Sequence, residues 1–548
     1  ASAGDNFYNT AVGYQAGKLV STGVQNTIIG GLAGDALTTG IGNVAVGYDA
    51  LSTEDAHGLN VAVGASALSS LNAGANAYNV AVGYQAGLSV STGISNTLIG
   101  GRAGDALTTG SSNVAIGLDA LDAEDTGNRN VAIGHNALKA LNFDGNGNNV
   151  AVGHQAGKAM STGVENTLIG SSAGDTLTTG GSNTAVGYQA LSTEDTGTRN
   201  TAVGYQALRD LNYDGTGHNV AVGYQSGVSV STGTQNTLIG GLAGDALTTG
   251  IQNVAIGYGA LGSEDAHGYN VAIGTNALKD QNAGTNAYNV AVGSDAGRNI
   301  TTGETNVIIG GLAGDALTTS SGNVAIGYSA LSTEDAHGKN TAIGFSTLRN
   351  QDAGADAYNV AVGYEAGTAV TTGTNNTLIG GLAGDSLTSG AHNVAVGYNT
   401  LATEDAHGRN IAIGTNALTT LDAGADAYNI AIGHNAGLSV TTGTSNTLIG
   451  GLSGDALTTG FANVAIGYQA SGAATIANNN IAIGSDALHD NVAGDRNVAI
   501  GSEALEKMTQ ATTTDTYNVA VGYNAGKQVT SGIQNTIIGG NAGDALTT

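Results

Sequence analysis

Asn9-Thr-Ala-Val-Gly-Tyr-Gln-Ala-Gly17 returns at Asn79, Asn149, Asn219, Asn289, Asn359 and Asn429, always 70 residues further on. A looser form, Asn-x-(Ala/Ile/Leu)-(Val/Ile)-Gly, starts 31 times between Asn9 and Asn535. Inside each period of 70 the steps are 17, 17, 17 and 19 residues. A fixed period of this size means that supersecondary units stack on one another, and it predicts a parallel β-solenoid. Such a stack has no closed core to outgrow, so the sequence predicts one continuous solenoid over 1–548. Its super-repeats are 9–78, 79–148, 149–218, 219–288, 289–358 and 359–428, followed by an irregular block 429–517 and by 518–548.

Each super-repeat holds four coil types. The first reads Asn9 to Gly23, and the second is Asn26-Thr-Ile-Ile-Gly-Gly-Leu-Ala-Gly-Asp-Ala-Leu-Thr-Thr-Gly40. The third is Asn43-Val-Ala-Val-Gly-Tyr-Asp-Ala-Leu-Ser-Thr-Glu-Asp-Ala-His-Gly58. The fourth, two residues longer, runs from Asn60 to Tyr78. Positions two to five alternate: Val44 and Val46 share one face, Ala45 and Gly47 the other, which is strand periodicity. A second apolar segment around Ala50-Leu51 predicts a second short strand facing the first. No segment keeps a 3.6-residue period, so helices are not expected. Asn at position one predicts an amide ladder along the stack.

The alternation does not say which face is inside. If Val and Ile fill the roll, Ala45 and Gly47 make a smooth outer stripe. If Ala and Gly line a thin core, the Val/Ile face looks outward. Either arrangement leaves an apolar stripe about 150 Å long over 31 coils, which self-association buries.

The 548 residues include 90 Gly, no Pro and no Cys. Glycine follows the coil beat and not every third position, which excludes collagen. With no Cys there is no disulfide framework. A net charge of −27 makes the chain a poor polyanion binder, so no nucleic acid partner is expected. No apolar run reaches the roughly 18 residues of a membrane span, so no membrane insertion is expected. Ser2–Tyr8 reads as the tail of a fourth-type coil and Thr548 falls inside a second-type coil, so further coils or caps are expected beyond both ends. Near the C-terminus an extra coil starts at Asn480 and a 21-residue coil at Asn497, insertions that a stack can absorb.

The motif resembles the head repeats of trimeric autotransporter adhesins of the YadA type. The phrases Asn289-Val-Ala-Val-Gly and Asn376-Thr-Leu-Ile-Gly-Gly-Leu-Ala-Gly-Asp385 also resemble repeat regions of phage tail fibres, marine ones in particular. The resemblance implies a left-handed parallel β-roll, a parallel homotrimer and an extracellular location, on a virion tail fibre or a cell surface. It implies host attachment through a cell-surface glycan or protein receptor. The 17-residue coil is longer than the adhesin family's, and the 70-residue order is absent from it. The leading expectation is the rigid shaft of a phage tail fibre. The head of a bacterial surface adhesin is the alternative, and a calcium-dependent β-roll module of a secreted protein a distant third.

Several polar features are candidate sites. Glu54-Asp55-Ala56-His57 recurs at Glu264, Glu334 and Glu404, while Glu124 and Glu194 begin copies without the His. Carboxylate and imidazole are metal ligands, but loss of the His from two copies favours a solvated turn between coils. Gly30-Gly31-Leu32-Ala33-Gly34-Asp35 approaches a calcium β-roll repeat, with the spacing wrong by one. Tyr14, Tyr48 and Tyr84 share one coil position, either as a carbohydrate-stacking stripe or as cover for the edge of the apolar ladder. Ser21-Thr22 and Thr38-Thr39 are too interrupted to form an ice-binding array. Every polar feature recurs, whereas a catalytic site breaks a repeat once. No enzyme, cofactor, metal or catalytic residue is therefore assigned.

Overall fold

The computed structural model describes residues 7–548, so most of the coil tail read at Ser2–Tyr8 lies outside the described residues. The chain divides into two compact units, Ala1–Asn270 and Val271–Thr548. Both are built from the same element. Each coil contributes one three-residue strand beginning directly after its Asn, 31 in all among the described residues, and there is no helix. The fold is an all-β parallel solenoid of about 17 residues per turn.

In the first unit the strands run from Thr10–Val12 to Val254–Ile256, each paired in parallel and in register with the next. In the second they run from Val271–Ile273 to Thr536–Ile538. The longer coil at Asn497 leaves this register intact, because Ile483 pairs with Ile500 and Ile500 with Val521. Its surplus adds a small parallel pairing to the preceding coil, Thr514–Asp515 with Gly494–Asp495.

The structure chooses the thin core. Ala45, Ala62, Ala81 and Ala115 are fully buried, while Val44 and Val46 are only half-buried and point outward. The second apolar segment is a run of turns and not a strand. The reason is local backbone geometry. Position seven (Gln15, Leu32, Asp49, Ser66) and position nine (Gly17, Gly34, Leu51, Leu68) both have positive φ. Such residues curl the chain and cannot continue a strand. The coil closes tightly, and its interior has room for Ala at position three but not for a column of Val.

Core volume is balanced between neighbouring coils, which accounts for four coil types. In second-type coils a Leu at position three (Leu98) sits with Gly104 at position nine. In third- and fourth-type coils the sizes reverse, as with Ala115 and Leu121 or Ala132 and Leu138. First-type coils are small at both places, and their neighbours fill them. A Cβ on Gly87 would lie 2.6 Å from Leu98 Cδ1 and 2.9 Å from Leu68 Cδ2. Interdigitation of large and small residues along the axis is how a thin core reaches close packing.

The Asn ladder forms, mainly through backbone contacts. The Asn43 N–H donates to Asn26 Oδ1 at 2.9 Å, and Asn43 Nδ2 donates to the His57 carbonyl at 3.0 Å. An Asn with both bonds thus binds one neighbouring coil and closes its own. Direct amide-to-amide bonds join the ladder at some steps, as from Asn60 Nδ2 to Asn43 Oδ1 at 3.3 Å. Buried amides need such partners, which makes the column a register lock.

Candidate functional site

With coils aligned on their Asn, Glu54 stands at position twelve, in one column with Val20, Leu37 and Leu71. The structure follows the column and not the polarity. Glu54, Glu124, Glu194, Glu264, Glu334 and Glu404 are all fully buried. This corrects the expectation of a solvated turn for these glutamates. The alignment that reveals it needs only the sequence, but the charge of Glu argued against placing it inside.

The carboxylate is held by backbone donors that a turn would otherwise leave unpaired. Glu54 Oε1 accepts the His57 N–H at 3.0 Å, and Oε2 accepts the Ala73 N–H of the next coil at 3.3 Å. Glu124 does the same with Gly127 at 2.7 Å and Phe143 at 3.3 Å. Glu194 adds a third donor, Asp195, to Gly197 and Tyr213. Burial still dominates: it pushes the carboxyls of Glu124, Glu194 and Glu404 above their usual range, and Glu334 up to about 7, against the pull of these N–H groups.

The histidine copies add an imidazole beside the carboxylate. His57 Nδ1 lies 3.5 Å from Glu54 Oε1, and His407 Nδ1 lies 3.6 Å from Glu404 Oε1. Neither Nδ1 has a hydrogen-bond partner. Asp55, Asp265, Asp335 and Asp405 complete acidic-imidazole clusters at their corners, and Asp422 joins at Glu404. Such a donor set is chemically able to hold a cation.

The remaining candidates resolve into packing. In Gly30-Gly31-Leu32-Ala33-Gly34-Asp35, Ala33 is buried and Gly34 has a φ of 50° in the core. At the equivalent Asp175 and Asp245 burial raises both carboxyls, against the pull of their own backbone N–H groups. At Asp105 burial and the neighbouring Asp122 push the carboxyl up to about 7. The Thr38 and Ser21 hydroxyls donate to carbonyls of the following coil, at 2.8 and 3.1 Å to Asp55 and Thr38, so they do not form an open array. The tyrosines at position six are exposed, Tyr84 by 60%. Where consecutive coils carry them they stack on each other: Tyr188, Tyr205 and Tyr224 lie 5.4 Å apart, beside hydrogen-bonded Gln189, Gln206 and Gln225. Stacked rings cover one another's faces and turn edges outward.

No helix among the described residues is long and apolar enough to cross a membrane. No protein-family model matches the chain, and no curated protein matches it.

Proposed function

We propose that the chain is a structural and adhesive fibre segment, the shaft of a phage tail fibre, acting by rigidity and reach outside the cell as a parallel homotrimer. The observation that carries this reading is the outer face. In each unit the strands turn half-exposed Val and Ile outward, as at Val46 and Ile99, at position four of every coil. Beside them runs the exposed tyrosine column. A repeated apolar face of this kind is covered most economically by the same face of identical chains around a closed axis. Recurrence of every polar feature favours a scaffold over an enzyme. The edge-on tyrosines suit such lateral packing, leaving receptor contact to a separate part of the surface.

Light scattering on the folded full chain tests the reading. Three times 53.5 kDa is the expected mass, and a stable monomer without self-association would overturn it. Substituting outward Val and Ile residues by Thr along several coils should dissociate the trimer without unfolding the roll.

A further inference from the structure

Of the six glutamate corners, the one at Glu404 differs most from a purely structural cap. Its Oε1 accepts the His407 N–H at 3.1 Å, but its fully buried Oε2 has no hydrogen-bond partner, a feature it shares with Glu264 and Glu334, and Asp422 is added here alone. The Ala423 N–H, which stands where Ala73 stands for Glu54, is near enough to draw the carboxyl's pKa down yet lies outside hydrogen-bond geometry. His407 Nδ1 is also unpartnered. Asp405 and Asp422 approach from two successive coils, and one donor atom from each of the four residues falls within 4.8 Å of the others. Asp422 is specific to this site among the clusters: the same position is Asn72 beside Glu54 and Asn282 beside Glu264, whereas Asp352 does not join the Glu334 cluster.

Among the described residues, no Lys or Arg pairs with Glu404, Asp405 or Asp422. Arg409 turns to Asp426, at 3.3 Å, and lies over the Tyr428 ring, 5.5 Å from its centroid. Three carboxylates gathered around an imidazole, one of them buried with a free oxygen, repel each other unless a proton or a cation joins them. One nitrogen with carboxylate oxygens suits a borderline divalent ion, whereas calcium takes six to eight oxygens. Zinc bonds of roughly 2.0–2.2 Å would draw these donor atoms closer together, a movement that the exposed Asp405 and Asp422 can supply.

We propose that Glu404, Asp405, His407 and Asp422 form a binding site for one divalent transition-metal ion of the zinc class, pinning two successive coils together. The sequence alone assigns no ligand here; burial of Glu404 with an open oxygen, and delivery of Asp422 from the next coil, do.

Zinc titrated calorimetrically into the chelator-stripped full chain tests this. The tightest equivalent should weaken at least tenfold in both His407→Ala and Asp422→Asn, and stay unchanged in His57→Ala. Circular dichroism of the stripped variants should match the unsubstituted chain, which separates lost binding from lost folding. Absence of a saturable zinc equivalent, or a change below threefold in either site variant, would overturn the proposal.

Discussion

The corners at Glu124 and Glu404 occupy the same place in their coils and solve one problem in two ways. At both, a carboxylate stands between leucines of the adjoining coils and accepts backbone N–H groups. After Glu124 the chain continues as Asp125-Thr126-Gly127-Asn128, and Asn128 forms an extra parallel bridge with Asn146 of the next coil. Thr198 and Thr216 repeat that bridge after Glu194. After Glu404 it continues as Asp405-Ala406-His407-Gly408, with an imidazole over the carboxylate. One design is satisfied by backbone alone. The other leaves Glu404 Oε2 and His407 Nδ1 open. A buried charge in a repeat can thus be spent entirely on structure in one copy and remain chemically available in another, although both corners open with the same Glu-Asp pair.

The largest expected effect is a control on this comparison. Gly117 and Gly397 occupy position five of the two coils, with φ of 133° and 140°. A Cβ there would lie 2.6 Å from the Gly134 oxygen and 2.7 Å from the Gly414 carbonyl carbon. Ala at either place should cost about 3 kcal/mol or more, equally at both, by clash and backbone strain. Hydrogen exchange on the adjoining strands measures it, and unequal costs would mean that the coils differ well beyond their corners.

Replacing the glutamate by Leu, the residue of the neighbouring coils in that column, separates the designs directly. Glu124→Leu orphans the Gly127 and Phe143 N–H groups and should destabilise the corner by about 2 kcal/mol. Glu404→Leu removes one full hydrogen bond and an open buried oxygen, so it should cost less than half as much in metal-free buffer. Equal losses would erase the distinction between the corners.

The smallest effect is in pH dependence. Glu334 titrates at about 7 in the folded chain, above its ordinary 4.5, because burial disfavours its charge. The fold therefore binds the proton more tightly than the unfolded chain. This contribution is fully present below about 4.5 and lost as pH rises to about 7, a change on the order of 1–3 kcal/mol. Stability of the unsubstituted chain minus that of Glu334→Gln should fall over this window. The same difference for Glu194→Gln should fall less, since three backbone donors support that charge. A rise with pH in either difference would contradict the burial argument.

Coil number, register, parallel stacking and the Asn column were legible in the sequence, because each follows from the spacing of one motif. A stack held by in-register backbone bonds must repeat at the motif's own period. The inward face was not legible. A period of two says that the two faces differ, and Val44 and Ala45 satisfy either orientation. Only the closed coil decides: residues of positive φ at positions seven and nine narrow it until Ala, with one large residue per super-repeat, fits at position three and an unbroken column of Val does not. The same closure takes Glu54 and Glu404 inside against their polarity, because position twelve faces the axis whatever residue occupies it and nearby N–H groups wait there unpaired. Residue chemistry governed which coils can stack; tertiary closure governed which atoms of each coil face the core and which remain available to a ligand.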